Sequence, residues 1–474
     1  MLDVLTKEAL MGVQNRNACL FADLGYGDSG KGTMVDWYAR TYGAHTVIRF
    51  NGGPQARHNV VTPDGRHHTF SQFGSATFVD GCRTHLSKHM LVSPLAMVAE
   101  EKYLRKVGVT DAWARATISR DALVITPFQR AANRIRELSR GDGRHGSCGV
   151  GLGETVYDAK VAPDLAIHVR DLYLPTTALR AKLDSMREFK VTQRAEEIAK
   201  CRDRGVGKED LDWYENPALL TSYLRELQNF FAVATVIDEA GEHEILERPG
   251  TVVFEPSQGV LLDEALGFDP YTTWSNCTFD NALTILRDHG YDGRVDKIGV
   301  VRAYMTRHGP GPFVTEDKGL TAALPDAHNA MDAWQGAFRV GWFDSVAIRY
   351  AIAACGGVDG LAVTCFDRLR EIDSWDAVNE YALPPSQMHD WTDELFETAA
   401  HFVKNIRLGN RGNLPRQRLI TTALEHAVIA AGAVTSASDF DAKVEQHIAA
   451  IEHQTGAKVR FTSFGTSASD KKVR

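Results

Sequence analysis

The sequence predicts an α/β fold: a large, mostly parallel sheet with a P-loop-like start, surrounding helices and a helical elaboration. Three observations point there. The opening segment runs strand, glycine turn, helix, strand, which is the rhythm of a parallel α/β unit. Short apolar runs then recur along the chain, each followed by a loop rich in glycine, polar or charged residues. Between about 176 and 245 the pattern changes to one rich in Arg, Lys, Glu and Leu, which reads as amphipathic helices.

In chain order, Ala18 to Ala22 reads as a buried strand running into the glycine turn Gly25 to Gly32. Thr33 to Arg40 has helical character, with Met34, Trp37 and Tyr38 on one side, and Thr46 to Phe50 is a second strand. Thr251 to Phe254, Ile298 to Val301 and Leu361 to Thr364 are consistent with further strands of the same sheet. The stretch from about 391 reads as helical until Lys458 to Thr462, a short final strand. With no repeat or low-complexity linker, the expectation is one α/β domain over 1–474 with a helical insertion at about 176–245.

The chain has 474 residues, 44% of them hydrophobic and 24% charged, so it can bury a sizeable core. A net charge of −8 argues against broad nucleic-acid binding, which runs on positive charge. The seven cysteines are scattered, odd in number and form no CxxC pair, which suits reduced thiols in a cytoplasm better than disulfides or zinc. No signal-peptide core and no apolar run long enough to span a bilayer stand out. The expectation is a cytoplasmic protein with neither a nucleic-acid nor a membrane partner.

Gly25-x-x-x-x-Gly30-Lys31 matches a phosphate-cradling loop in all but its last position, where Gly32 replaces the usual Ser or Thr. Glycines let backbone N–H groups turn toward one anion, Lys31 adds a point charge, and the next helix presents its N-terminus. Asp28 sharpens the reading. A carboxylate inside an anion-binding loop is costly unless it holds a metal or moves a proton. Asn51 to His58 follows a strand with the double glycine Gly52-Gly53, which permits close backbone approach to a ligand. Further glycine-containing turns occur at Ser147 to Gly153, Glu255 to Gly259, Thr306 to Pro312 and Gly336 to Asp344. Each alone is of low specificity.

Their order and spacing are more telling, and the series resembles the adenylosuccinate synthetase family from Leu20 to Lys471. The family's GDEGKGK appears as GDSGKGT, GGxNAGH as GGPQARH and TTGRGIGP as SCGVGLGE. FEGAQGTLLD is FEPSQGVLLD, AYxTRVGxGPFPTE is AYMTRHGPGPFVTE, and GRRRRxGWLD is GAFRVGWFD. The resemblance implies a ligase that couples L-aspartate to C6 of a 6-oxopurine nucleotide, IMP or (d)GMP, through a 6-phosphoryl intermediate. GTP or ATP is the phosphate donor and Mg²⁺ the metal, in a homodimer serving purine nucleotide biosynthesis. It makes Asp28 the base for purine N1 and a magnesium contact, and His58 a donor to the transferred phosphoryl group. Lys31 stabilises phosphate charge, and Gln258 reads the purine edge. Gly27, Ser29, Gly30, Gly32, Gly53, Arg339, Asp367, Ser463 and Gly465 bind nucleotide. Ser147, Cys148, Thr273, Arg307 and Arg339 bind the other substrates.

The departures from the family pattern cluster on the acceptor. The loop glycine whose carbonyl contacts magnesium is Arg57. The threonine on the substrate phosphate is Cys148, the arginine reaching across the dimer aligns with Pro163, and the first arginine of GRRRR is Ala337. Arg57 and Arg349 are candidates to compensate. The guanine-reading TKLD is Thr364-Cys365-Phe366-Asp367, without its stacking lysine. These changes look closer to a divergent branch that includes phage-type 2-aminoadenylosuccinate synthetases, which couple aspartate to dGMP and can use ATP. Two alternatives stay open: a ligase acting on a modified purine or nucleoside, and a non-catalytic nucleotide-binding regulator.

Overall fold

A computed structural model describes residues 16–144, 146–326, 334, 336–435 and 439–474. Ten strands form the main sheet: β1 (Arg16–Asp23), β2 (Ala44–Arg49), β4 (Arg83–Leu86), β5 (Ala116–Ser119), β6 (Thr235–Ile237), β7 (Gly250–Glu255), β8 (Arg294–Arg302), β11 (Gly360–Thr364), β12 (Val459–Ser463) and β13 (Lys471–Val473). The numbers β3 (His58–Val61), β9 (Met305–His308) and β10 (Phe338–Gly341) go to strands of two small hairpins. The sheet order is β13-β12-β11-β8-β1-β7-β2-β4-β5-β6. Every pairing in it is parallel except the edge pair β12–β13.

β1 lies near the centre because its residues suit burial on both faces. Leu20, Phe21 and Ala22 are fully buried, and an interior parallel strand is covered by helices on either side. Chain order reverses at β1: β2 lies beyond β7 on one side, while β8, β11 and β12 follow in order on the other. Ligands of open parallel sheets bind at such switch points, outside the carboxyl ends of the strands. The loops after β1, β2 and β7 converge there.

The helix α1 (Lys31–Tyr42) starts directly after the glycine turn, with Gly30 in the left-handed region at φ 81°. A Cβ on Gly32 would come within 2.6 Å of the His58 Cβ. The first turn of α1 therefore sits on β3, and a serine or threonine at 32 does not fit. This contact brings the sequence-distant Lys31 and His58 together.

Residues 176–231 form the helices Thr176–Gln193, Ala195–Asp203, Lys208–Glu215 and Pro217–Phe231. They bury Leu183, Met186, Leu220 and Leu227 against α2 (Pro127–Arg140) and its neighbours, in a second hydrophobic core. The stretch from 391 differs from its helical reading. Besides helices Leu414–His426 and Phe440–Thr455 it contains strands Phe396–Ala399, Phe402–Ile406 and Val428–Thr435. In a second, smaller sheet Phe402–Ile406 and Val428–Thr435 pair with Trp375–Ala382, and Phe396–Ala399 pairs with Phe402–Ile406. Short apolar runs such as VIAAGAVT satisfy strand and helix patterns alike, and tertiary pairing decides between them.

Candidate active site

The glycine loop is organised from beneath by Asp23, the last residue of β1, which is fully buried. Its Oδ1 accepts from Gly25 N–H at 3.0 Å and the Ser29 hydroxyl at 2.8 Å. Its Oδ2 accepts from Ser29 N–H at 3.0 Å and from Lys31 Nζ at 3.4 Å. Four donors on one carboxylate fix the loop's curvature and hold Lys31 inward. The loop is also tied sideways: the Thr364 hydroxyl donates to Ser29 O at 2.7 Å, and Leu261 N–H donates to Gly25 O at 3.1 Å. A Cβ on Gly259 would approach Gly25 O to 2.2 Å, so the loop after β7 needs glycine where it crosses the first.

The loops after β2 and β7 are locked by side chains. Ser257 N–H donates to Asn51 Oδ1 at 2.7 Å and the Ser257 hydroxyl to Asn51 O at 2.6 Å. Arg49 Nη2 donates to the Ser257 hydroxyl at 2.8 Å. Gln258 is thereby fixed beside Gly52, with both of its amide atoms buried and without a partner.

His58 packs its Nδ1 2.5 Å from Glu255 Oε1, and Glu255 also accepts from Ser75 N–H at 2.9 Å and from the Ser75 hydroxyl. Burial alone would raise Glu255, but the Arg49 charge and the bonds from His58 and Ser75 prevail and hold it at about 2. Burial lowers His58 to about 4, with Lys31 and Arg49 adding to the effect and Glu255 opposing it. The imidazole is then neutral at pH 7. Glu255 as acceptor assigns its proton to Nδ1 and leaves Nε2, buried and unpartnered, as a lone-pair acceptor.

These groups meet in a cleft of about 290 Å³, lined by Asp28, Lys31, Arg57, His58, Gln258 and Arg307 among others. Gln55, with both amide atoms buried and unpartnered, is a further wall residue. Ser147, Cys148 and Thr273 line it as well, and Asn133 Nδ2 donates to the Ser147 hydroxyl at 2.8 Å. Arg136 and Arg140 of α2 add positive charge; Arg136 pairs with Glu154 at 3.0 Å and Arg140 with Glu137 at 2.6 Å. His308, at the end of β9, brings Nε2 to 3.3 Å from Asp28 Oδ2.

A family model for adenylosuccinate synthetase matches residues 22–471. The chain belongs to the adenylosuccinate synthetase family. The family's enzymes are ligases that form C–N bonds, and this fold brings the motif residues Asp28, Lys31, His58, Gln258 and Arg307 into one cleft. The adenylosuccinate synthetase of Neisseria gonorrhoeae is 31% identical over 363 residues, covering 76% of this chain and 79% of that protein. That of Chlorobium chlorochromatii is 28% identical over 443 residues, covering 93% of both. Fully ligated adenylosuccinate synthetase from Plasmodium falciparum shares the fold with a TM-score of 0.73 at 18% identity, over 97% of this chain and 100% of that one. The cyanophage S-2L succinoaminodeoxyadenylate synthetase, solved with dGMP and with dATP as energy donor, superposes with a TM-score of 0.52 at 17% identity, covering 97% of this chain and 95% of that one.

Not every family-motif position reaches the cleft. Arg339 lies off its wall, opposite Arg307 across the β9–β10 ladder. It donates to Gly309 O at 2.6 Å and pairs with Glu316 at 2.7 Å. Arg349 ties its helix to Asn405, Gln454 O and Asn379 O instead of compensating in the cleft. Pro163 is exposed and away from the wall. Asp367, Ser463 and Gly465 gather on the other side of the glycine loop, at the ends of β11 and β12. There the Thr33 hydroxyl donates to Thr466 O at 2.8 Å, and Lys471 Nζ donates to Gly465 O at 3.1 Å and Ser467 O at 2.7 Å. Burial raises Asp367 and lowers Lys471 to about 8.

Sequence reasoning missed Asp23, Glu255, His308, Arg136 and Arg140 as site residues. Asp23 had a usable signal, since a charged residue ending an all-apolar strand before a glycine turn must be paired. Among the described residues no group of three or more His, Cys, Asp or Glu side chains could hold a metal. A magnesium ion depends less on such a cage, because it usually takes one or two carboxylates together with substrate phosphates. Among the described residues no helix is long and apolar enough to cross a membrane.

Proposed function

We propose that this chain couples L-aspartate to C6 of a 6-oxopurine nucleotide with GTP or ATP as phosphate donor, through a 6-phosphoryl intermediate. One observation carries the reading. A carboxylate in a phosphate loop, a lysine, a carboxylate-held histidine and two unpartnered amides share one cleft. Asp28 takes the N1 proton, which makes O6 a nucleophile toward the γ-phosphoryl group. Phosphate then leaves C6 as aspartate's amine attacks, so one difficult displacement becomes two easier ones. Lys31 and the loop N–H groups stabilise the phosphoryl charge. His58 acquires its donor role when phosphate charge near Nε2 raises its proton affinity, while Glu255 fixes the ring from the other side. Gln258 and Gln55 present amides to the purine edge.

The Asp28 carboxylate and the Arg57 carbonyl are hard oxygen donors of the kind magnesium accepts. A magnesium ion held there would neutralise phosphate charge. Two protomers form the working unit in this reading, as the family resemblance implies.

The acceptor we favour is a deoxynucleotide or 2-amino purine rather than IMP. Cys148 replaces a hydroxyl on the cleft wall, and Pro163 offers neither charge nor N–H. Arg136 and Arg140, on the helix whose Asn133 donates to Ser147, are the cleft arginines this reading assigns to an acceptor phosphate. The test is kcat/KM for IMP, dIMP, GMP, dGMP and the free nucleosides under ATP and under GTP, with L-aspartate and Mg²⁺. dGMP or another 2-amino substrate is expected to lead. An IMP advantage of about tenfold or more, roughly 1.4 kcal/mol, would make the substitutions drift on an ordinary adenylosuccinate synthetase.

A further inference from the structure

His308 stands where the family motif quoted above has valine, and no role follows for it from the family pattern. Its position is specific. His308 ends β9, opposite Phe338 of β10, whose ring lies 5.0 Å from the imidazole between centroids. From there Nε2 reaches Asp28 Oδ2 at 3.3 Å, and both residues line the cleft. Asp28 is already held by its backbone, because Arg302 Nε donates to Asp28 O at 2.5 Å. The other imidazole nitrogen, Nδ1, is buried without a partner.

That last fact selects the tautomer. A proton on Nδ1 would leave a buried N–H without an acceptor and point an Nε2 lone pair at a carboxylate oxygen. A proton on Nε2 gives Asp28 a donor, and leaves only an unpaired acceptor behind. We infer that His308 is a positioning residue for Asp28: its Nε2–H holds one carboxylate oxygen, so the other stays free to take the purine N1 proton. The inference rests on the proposed role of Asp28 as base. With Arg302 fixing the backbone and His308 the side chain, the carboxylate loses the rotation that would otherwise let it turn toward Lys31 or solvent. Apo contacts of this kind are often long and tighten in the substrate complex.

The experiment compares wild type, His308→Val and His308→Gln with the best 6-oxopurine nucleotide. It reads kcat and KM separately and takes a melting temperature for each protein. A misplaced base costs about a hundredfold at the upper end. His308→Val is expected to lower kcat by about ten- to a hundredfold, with acceptor KM within about threefold and an unchanged melting temperature. His308→Gln, whose amide also carries an N–H, is expected to recover at least half of that loss on a logarithmic scale. An unchanged kcat in His308→Val, equal losses in the two variants, or a loss confined to KM would overturn the assignment while leaving the proposed function standing. No turnover by wild type on any purine nucleotide would overturn both.

Discussion

Replacing Asp23 by Asn tests whether a single buried carboxylate shapes the phosphate loop. The side chain accepts four hydrogen bonds, from Gly25 N–H, Ser29 N–H, the Ser29 hydroxyl and Lys31 Nζ. An asparagine has one acceptor oxygen and places an NH₂ group where the second stood. Whichever way the amide turns, at least one buried N–H of the loop meets a donor, and in one orientation Lys31 does too. Each orphaned donor costs about 1–3 kcal/mol, so the expected loss is about 2–5 kcal/mol. At about 2.1 cal/mol/K of unfolding entropy per residue, a chain of 474 residues loses about 1 °C of Tm per kcal/mol. Calorimetry should therefore show Tm lower by about 2–5 °C in Asp23→Asn. Ser29→Ala, which removes one hydroxyl donor and orphans nothing, should fall by about 1 °C or less. Donor-nucleotide affinity in Asp23→Asn should weaken by about tenfold or more, roughly 1.4 kcal/mol, because the loop N–H directions depend on this anchor. A Tm and an affinity indistinguishable from wild type would refute the reasoning.

Three further outcomes follow from the same contacts. Asp28→Asn should retain fold and nucleotide binding but lose at least about a hundredfold in turnover, since an amide cannot accept the N1 proton; a variant above about a tenth of the wild-type rate would remove Asp28 from the base role. Donor choice should be loose or tilted toward ATP, because Cys365 stands where the family lysine stacks on guanine and Asp367 supplies only one charge-assisted contact, worth about 1.5–3 kcal/mol; a GTP preference beyond about a thousandfold contradicts this. His447 is fully buried, with Nε2 2.8 Å from Ala303 O, and burial lowers it to about 4, that carbonyl opposing. Because its folded value lies below the unfolded 6.5, its contribution is complete above pH 6.5 and fades between 6.5 and 4, to a total of about 3 kcal/mol. His447→Gln should make denaturant-measured stability fall less steeply over that window, with His58 still contributing there, and an unchanged slope would contradict the assignment.

The parts of the fold that were legible in the sequence are those fixed by burial on both faces. β1, β7, β8 and β11 each carry a buried apolar run, over residues 18–22, 251–254, 298–301 and 361–364, followed by a loop with polar residues. The short interior strand Arg83–Leu86 and the edge strand Thr235–Ile237 went unseen, since three or four residues carry too little periodicity. So did the strands after 391, where pairing with Trp375–Ala382 decides the conformation. In the site, the cleft-lining residues Asp28, Lys31, His58 and Gln258 stood within motifs. Their supports were not legible as such, although Glu255 stands in the same motif as Gln258. Asp23 and Glu255 act on neighbours brought near by the crossing of loops, and the Gly32 contact with His58 spans two elements. Arg349 shows the converse. Chemistry alone suggested a phosphate ligand, and packing makes it a brace between helix and strands.

The central claim is that O6 of the acceptor purine attacks the donor's γ-phosphoryl group and departs with it. It is tested most directly with an acceptor carrying ¹⁸O at C6, incubated with enzyme, nucleoside triphosphate and L-aspartate. Mass spectrometry of the released phosphate is expected to find one ¹⁸O per N6-succinyl purine formed. Phosphate free of label, or label in any product other than phosphate, would contradict the account.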